Sequence, residues 1–256
     1  MEIALKEVSG SFHPLQMTFT RFLAGGLFLI PFAVRTLKKK KASLNWKDLP
    51  GFLLLGFVGM VLSMSIYQMS VKEVPASVVA VLFSSNPIFT AVLAFFMLKE
   101  PIRRNQIAAL LLEIGGILAI INPFHTSLSP YGVLLAMIST LLFAVYGVMG
   151  KRRCARFGGV VVTCASFLCG GAEMLFMILF SRLPMVNKWL AGSGLELFAN
   201  IPLLSGYSWN TLPWMLMICI INTGLGFACY FKAMEETSAQ ETSLVFFLKP
   251  VLAPVF

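Results

Sequence analysis

The sequence predicts an all-α membrane protein, a polytopic helical bundle built from inverted repeats. Of its 256 residues, 58% are hydrophobic and only 12% are charged, and the mean hydropathy is +0.84. A soluble domain carries about 25% charged residues and could not bury this much apolar side chain. Since helices satisfy every backbone group of an open chain in lipid, the apolar runs are predicted to be membrane-spanning α-helices.

Eight spans are predicted, because a bilayer core takes roughly 20 apolar residues per helix. They cover about residues 15–35, 51–70, 75–98, 105–122, 131–149, 159–181, 213–232 and 240–256. Short segments marked by Pro, Gly, Asn or charge separate them, such as the predicted loop KRRCARFGG. The connection between the sixth and seventh spans is longer, and LELFANIPLL within it is a candidate surface helix.

The chain contains two copies of one unit. The stretch VPASVVAVLFSSNPIFTAVLAFFMLKE returns in weaker form as TSAQETSLVFFLKPVLAPVF at an offset of 163 residues, whereas an earlier segment repeats at an offset of 145. The difference of 18 residues fits an insertion in the long connection, where extra length costs little. The aligned pairs include Tyr67 with Tyr230, Pro87 with Pro250, and Gly25 with Gly170.

The two copies are predicted to be inserted in opposite orientation, because the five crossings between a span and its copy are an odd number. The predicted domains are residues 1–123, a first repeat whose first helix is mostly missing, and residues 130–256, a second repeat whose last helix is missing. The complete design would have ten helices, of which about eight are expected in this chain.

The distribution of basic residues gives an independent prediction of topology. One side of the predicted membrane carries 14 of the 20 basic residues: Arg35, Lys38, Lys39, Lys40, Lys41, Lys47, Lys99, Arg103, Arg104, Lys151, Arg152, Arg153, Arg156 and Lys232. The positive-inside rule places these loops in the cytoplasm. The sequence thus predicts a multi-pass protein of the cell membrane, and the net charge of +9 needs no nucleic-acid partner.

The repeated motif and the glycine-bearing helix LLLEIGGILAIINP resemble the EamA domain of the drug/metabolite transporter superfamily. The resemblance covers nearly the whole chain. It implies a ten-helix carrier of the bacterial inner or plasma membrane with both termini in the cytoplasm. It also implies a secondary transporter that exports small metabolites, such as amino acids, by alternating access and without cofactor or metal. The implied partners are a small-molecule substrate and the lipid bilayer.

Two other functions are compatible with the sequence. The missing helices would fit a truncated, non-transporting membrane remnant or interaction protein. A membrane-embedded enzyme acting on lipid-linked substrates is the less favoured alternative, since it would need a polar catalytic cluster at one interface. The sequence contains no HExxH, GxSxG or GxxxxGK motif and no cysteine–histidine cluster, so we expect no enzymatic activity.

Four charged residues fall inside the predicted spans: Arg21, Glu113, Glu173 and Lys249. Charge at membrane depth costs about 2.5–3.5 kcal/mol on insertion scales, so it normally faces protein or a water-filled cavity. Arg21 could instead reach the interface through its long side chain. Glu113, Glu173 and Arg21 are candidates for proton coupling or for an intramembrane ion pair, the two glutamates also for a protonated structural role.

The substrate site is predicted at mid-membrane between the copies, near the broken helices. Its candidate residues are Tyr67, Asn86, Pro87, Tyr230, Lys249 and Pro250, with Lys249 attracting an anionic group or, alternatively, pairing with a glutamate. The small residues Gly56, Gly59, Ser63 and Ser70 share one helix face with Tyr67 and favour close helix packing. Tyr146, near a span end, could belong to the interfacial aromatic belt.

Overall fold

The computed structural model describes residues 11–102, 104–121 and 128–247, and the side chains of residues 76, 113 and 117–121 lie outside that description. All regular secondary structure in this part of the chain is helical. The helices are α1 (Pro14–Lys40), α2 (Trp46–Glu73), α3 (Ala76–Ser84), α4 (Asn86–Leu98), α5 (Arg104–Ile121), α6 (Pro130–Phe157), α7 (Gly159–Ser181), α8 (Pro184–Gly192), α9 (Leu212–Glu236) and α10 (Ala239–Ser243).

The predicted helical membrane fold is confirmed, because six segments of the described chain are long and apolar enough to span a bilayer. They are α1, α2, residues 77–98 of α3 and α4 together, α6, α7 and α9. Helix α5 lies where a further span is predicted. The predicted span 240–256 falls mainly outside the described residues, and α10 and a 3₁₀ turn at Leu244–Phe247 form its described start.

The helix boundary after the fifth predicted span differs from the prediction. The segment KRRCARF is not a loop, because α6 continues through it to Phe157. Gly158 alone joins α6 to α7, with a φ of +92° that favours glycine. Outside the hydrocarbon core a helix can continue with its basic side chains in water, so hydropathy marks the end of the membrane span and not the end of the helix.

The long connection between α7 and α9 also differs from the prediction. The stretch LELFANIPLL is not a surface helix: only Glu196–Phe198 forms a 3₁₀ turn. Leu197 and Ile201 of this stretch are buried against Leu15 and Ile178, at the first turn of α1 and the last turns of α7. The helix of the connection precedes it, as α8.

Helices α1 and α7, which the predicted repeat aligns, pack against each other in opposite directions. Leu15 at the start of α1 shares a buried cluster with Ile178 near the end of α7. At the other end, a Cβ on Gly158 would lie 2.9 Å from Thr36 of α1. Gly26, in the middle of α1, allows the two helices to approach closely beside Phe167.

Two helices contain a π-helical stretch that the sequence analysis did not predict. It covers Phe57–Ser63 in α2 and Met217–Leu225 in α9. The two stretches overlap when they are compared at the repeat offset of 163 residues. π-Helical turns are rare and often lie at functional sites. Both stretches lead into the segments of α2 and α9 that line the central cavity described next.

Candidate functional site

A cavity of about 700 Å³ lies at the centre of the bundle, within the volume range of small-molecule sites. Helices α1, α2, α3, α6, α9 and α10 contribute to its wall. Its lining residues are Met17, Thr18, Arg21, Met64, Tyr67, Gln68, Phe83, Phe143, Asn222, Gly226, Phe227, Cys229, Tyr230, Ala233, Thr237, Glu241, Thr242, Val245 and Phe246.

Two repeat-equivalent aromatic pairs face this cavity. The ring of Tyr67 packs edge-on against Phe83 with 5.4 Å between ring centroids. The ring of Tyr230 packs edge-on against Phe246 at 5.7 Å. Phe83 and Phe246 are themselves 6.2 Å apart, so they join the two pairs into one aromatic cluster. The structure therefore brings together the two tyrosines that the repeat singles out, together with partners that are also related by the repeat.

Arg21 of α1 also lines the cavity. Its side chain is 7% exposed. One guanidinium nitrogen, Nη2, lies 3.2 Å from the sulfur of Met64, and the guanidinium carbon lies 4.7 Å from the centroid of the Phe22 ring. The Nε atom is buried without a hydrogen-bond partner among the described residues. The guanidinium group of Arg21 thus lies at the cavity wall. It does not extend to the membrane interface, which was the alternative expected for a long basic side chain.

Several polar residues that line the cavity were not among the predicted site residues. Gln68, next to Tyr67, donates a long hydrogen bond of 3.5 Å to the hydroxyl of Thr18 across the α1–α2 interface. The side-chain nitrogen of Asn222 is buried without a partner within the described part of the chain. Asn222 aligns with Gly59 in the predicted repeat. A polar amide inside an apolar run is the sequence feature that could have identified it as a site residue. Glu241, from the start of α10, completes the polar part of the wall.

Asn86 and Pro87 are buried but do not line this cavity. The side-chain amide of Asn86 donates to the backbone carbonyl of Thr140 in α6 at 3.3 Å. Its oxygen accepts a hydrogen bond from Thr90 at 3.1 Å. The span containing these residues is interrupted at Ser85, where α3 ends and α4 begins. Asn86 therefore fixes the second half of the broken span against α6.

The remaining predicted site residues divide into two groups. Glu173 lies on α7, away from the cavity, and its Oε2 atom is buried without a hydrogen-bond partner among the described residues. The side chain of Glu113 lies outside the described residues, although its backbone belongs to α5. Lys249 and Pro250 also lie outside the described residues. Their roles stay predictions.

The face of small residues on α2 is a packing surface. A Cβ on Gly56 would collide with the backbone of Gly170, and one on Gly59 would lie 2.6 Å from the ring of Tyr146. The hydroxyl of Ser63 donates to the carbonyl of Ser139 at 2.9 Å. These contacts are typical of membrane helices that approach closely through small residues and interhelical hydrogen bonds.

Tyr146 does not belong to an interfacial belt. It is fully buried, and its hydroxyl lies 3.1 Å from that of Ser166 on α7. Its ring packs edge-on against Phe231 at 5.3 Å. A buried tyrosine needs a hydrogen-bond partner, and Ser166 supplies one inside the bundle. Position near a span end was therefore a poor guide to its surroundings.

The described part of the chain contains no group of three or more His, Cys, Asp or Glu side chains that could hold a metal ion. Its five cysteines are free thiols, of which Cys154, Cys164 and Cys219 are buried. Buried thiols pack as small hydrophobic groups. The polar chemistry of the central cavity accordingly comes from hydroxyl, amide and guanidinium groups and from the carboxyl group of Glu241.

Comparison with known proteins gives a consistent assignment. The model of the EamA-like transporter family matches the chain twice, over residues 2–122 and 130–256. An uncharacterized transporter of Clostridium kluyveri is 32% identical over 252 residues, which is 96% of this chain and 75% of the relative. The uncharacterized inner membrane transporter YedA of Escherichia coli K12 is 27% identical over 84% of this chain and 75% of its own length.

A solved structure, described as the crystal structure of a protein, superposes with a TM-score of 0.72. It is 19% identical and the match covers 99% of this chain and 81% of the other, which establishes similarity of fold. The family match covers nearly all of the sequence and is a match to a transporter family, not to a family of enzymes. This multi-pass membrane protein therefore belongs to the EamA-like transporter family.

Proposed function

We propose that the protein is a secondary carrier that exports small metabolites, such as amino acids or related compounds, by alternating access. The observation that carries the proposal is the central cavity, with the two repeat-equivalent tyrosines and a buried arginine in its wall. A site between two copies of a repeat is where inverted-repeat carriers bind their substrates. The cavity volume is suited to a molecule of this size.

The proposed carrier consists of two inverted repeats with the basic loops in the cytoplasm. The opposite directions of α1 and α7 support this arrangement, since these helices are aligned by the repeat. The π-helical stretches at equivalent places in α2 and α9 support it as well. In such a carrier, each copy rocks against the other around a site that both of them line.

The chemistry of the cavity favours a substrate with an anionic group. Arg21 has no ion-pair partner among the described residues, and a buried guanidinium without a carboxylate is costly unless a ligand or water compensates it. Guanidinium groups bind carboxylates through two parallel hydrogen bonds. Tyr67, Tyr230, Gln68 and Asn222 would orient the rest of the molecule. Lys249, placed by the repeat beside the second helix break, is proposed as a further attractive charge.

Glu173 or Glu113 is proposed as the proton-coupling carboxylate. Glu173 is half-buried, and its Oε2 atom is buried without a hydrogen-bond partner within the described chain. Carboxyl groups inside membrane-spanning helices are typical members of proton relays in transporters. Replacing Glu173 with Gln should abolish proton-driven uptake into vesicles but preserve substrate exchange, which needs no net proton movement. Loss of exchange as well as uptake would assign Glu173 to folding or to binding.

The substrate site can be tested with the full chain purified in detergent. A panel of amino acids and small carboxylates is screened for those that raise the melting temperature, and each one found is assayed for counterflow in proteoliposomes without ATP. We expect Arg21→Gln to weaken binding of carboxylate ligands by about 10- to 150-fold, as for a lost charge-assisted hydrogen bond. Arg21→Lys should retain part of the affinity.

Arg35→Gln is the matched control, since this residue lies on the same helix and is exposed. It should leave binding unchanged. Full retention of carboxylate binding in a folded Arg21→Gln variant would contradict the proposed anion site. Flux that requires ATP and is independent of any gradient would contradict the secondary-carrier mechanism.

A further inference from the structure

A second cavity, of about 490 Å³, lies at the end of the bundle that carries the basic loops. Three guanidinium groups line it, from Arg152, Arg153 and Arg156 in the last turns of α6. Its remaining wall is formed largely by the apolar side chains of Met97, Met149 and Phe157. This basic cavity does not share any lining residue with the central cavity, and the proposed transport mechanism makes no use of it.

Two of the three arginines are held in place by the fold. Arg156 makes two hydrogen bonds to the carboxylate of Asp48, with 2.7 Å from Nη1 to Oδ1 and 3.2 Å from Nη2 to Oδ2. Arg153 lies over the ring of Phe52, with 5.8 Å between the guanidinium carbon and the ring centroid. The Arg153 guanidinium also occupies the space that a side chain on Gly51 would need. These contacts orient the guanidinium groups at the start of α2.

The charges in the basic cavity are not balanced. Asp48 is the only acidic residue that lines it among the described residues, and it faces three arginines. Arg152 is exposed and makes no ion pair with any described residue. The site therefore has a surplus of two positive charges, arranged as forks that suit phosphate oxygens. It is complementary to an anion with more than one acceptor oxygen.

The surroundings of the basic cavity identify the source of that anion. Met97, in its wall, is 38% exposed and continues a surface of exposed apolar side chains that includes Phe96 at 73%. On the other side, Leu53 and Phe57 of α2 are exposed as well. Trp46, 87% exposed and two residues before Asp48, is the residue type enriched where hydrocarbon meets headgroups. An apolar wall that continues through Met97 into exposed apolar surface, below a basic rim, matches an acyl chain below a phosphate.

We propose that the basic cavity binds the headgroup of an anionic phospholipid, with its phosphate on Arg152 and Arg153 and its acyl chain along Met97 and Met149. Basic pockets between transmembrane helices on the cytoplasmic side are known to bind acidic headgroups. The ligand would bridge the ends of α2, α4 and α6 at the cytoplasmic interface. Arg156, already paired with Asp48, fixes the position of α2 and completes the rim.

The test uses the full chain, delipidated in a neutral detergent and titrated with phosphatidylglycerol. Phosphatidylcholine with the same acyl chains tests for the headgroup charge, and inorganic phosphate and glycerol phosphate test for a soluble anion. Binding is followed by the melting temperature and by native mass spectrometry of retained lipid. We expect phosphatidylglycerol alone to stabilise the protein. Arg152→Gln with Arg153→Gln should weaken its binding by about 25-fold, at roughly fivefold per arginine near a membrane surface.

The matched control is Lys38→Gln with Lys39→Gln, which removes two exposed positive charges at the same end of the bundle. This control should keep the wild-type affinity. Equal losses of phosphatidylglycerol affinity in the two double variants would show that general surface charge accounts for the binding. That result would overturn the proposed site. Equal stabilisation by glycerol phosphate would replace the lipid with a soluble anion. If the double arginine variant does not fold, the exposed Arg152→Gln alone should give a loss of about fivefold, and unchanged binding there overturns the proposal.

Discussion

The backbone amide of Gly159, at the first residue of α7, donates a 2.8 Å hydrogen bond to the carboxylate of Glu235 near the end of α9. The same carboxylate lies 2.5 Å from the ammonium group of Lys40 at the end of α1. One side chain thus ties three helices together at the end of the bundle that carries the basic loops. Carboxylates are favourable at helix N-termini, where amide groups lack partners within the helix.

Replacement of Glu235 with Ala should destabilise the protein by about 1–3 kcal/mol, because it leaves a partly buried ammonium and an amide without their acceptor. The free energy of unfolding can be measured by SDS titration in mixed micelles with tryptophan fluorescence. Glu236→Ala is the control, since its side chain is 66% exposed and, among the described residues, pairs only with the exposed Lys232. It should change stability by less than about 0.5 kcal/mol. Equal effects of the two variants would show that the tie among the three helices contributes nothing specific.

Helix packing gives a second prediction, at Gly56. A methyl group at this position would collide with the backbone of Gly170, so Gly56→Ala requires α2 and α7 to move apart. We expect a loss of about 1–3 kcal/mol in the same unfolding assay, as for overpacking in a core. Gly115→Ala on α5 is the matched control, because its Cβ would meet no atom of the described residues within 4 Å. That control should be neutral or stabilising by up to about 1 kcal/mol, since alanine is the better helix former. A neutral Gly56→Ala would contradict the close contact.

The N-terminal cap of α1 predicts a pH dependence. The Nδ1 atom of His13 accepts a hydrogen bond from the amide of Leu15 at 3.3 Å, which requires the neutral ring. Burial, and secondarily the nearby Lys72, lower the pKa of His13 from its ordinary value of 6.5. The unfolded chain therefore takes up the proton first. The stability from this group is complete above pH 6.5 and is lost as the pH falls through the folded pKa.

The measurement compares the melting temperature of the wild type with that of His13→Asn between pH 8 and pH 5. Asparagine is a good N-cap and does not titrate in this range. The melting temperature of His13→Asn should rise relative to that of the wild type as the pH falls. A constant difference across the range would show that the cap does not depend on the neutral imidazole.

The orientation of the bundle is tested by thiol labelling. Lys39, at the end of α1, and Lys188, on α8, are exposed and lie toward opposite ends of the bundle. In a background with the five cysteines replaced, Lys39→Cys should react with a membrane-impermeant maleimide only in inside-out vesicles. Lys188→Cys should react only in intact cells. Labelling of both from the same side would contradict the proposed topology.

Hydropathy was sufficient to predict the six long apolar spans that the described residues contain. The repeat predicted a helix break at Pro87, and the structure has the break two residues earlier, at Ser85. The repeat also indicated that Tyr67 and Tyr230 are equivalent. The rotation of an apolar helix about its axis is harder to predict, because a helix that is hydrophobic on all sides has no marked face. Arg21 was for this reason one of several candidates for an interfacial or coupling role, whereas the fold places it at the cavity wall.

The same difficulty applies to polar residues beside a helix break. Asn86 stands next to Pro87 in sequence, but its amide is directed to Thr140 and away from the cavity. The π-helical stretches have a further effect, since a wider turn changes the angular position of every residue that follows. Gln68 follows the π-helical stretch of α2 by five residues, and its position at the cavity could not be read from a regular 3.6-residue period.

The segment between α7 and α9 makes the two ends of the proposed carrier unequal. Symmetry alone would make the outer and inner faces mechanical equivalents, with the same barriers to opening. This segment lies over the start of α1, and the amide of Gln16 donates to the carbonyls of Leu203 and Ser205 at 3.1 and 2.8 Å. In the sequence alignment of the copies, the 18 extra residues of this segment have no counterpart in the first half. In the proposed carrier, opening this end of the bundle would break contacts for which the opposite end has no equivalent among the described residues. We therefore expect the two compartments to be exposed at different rates.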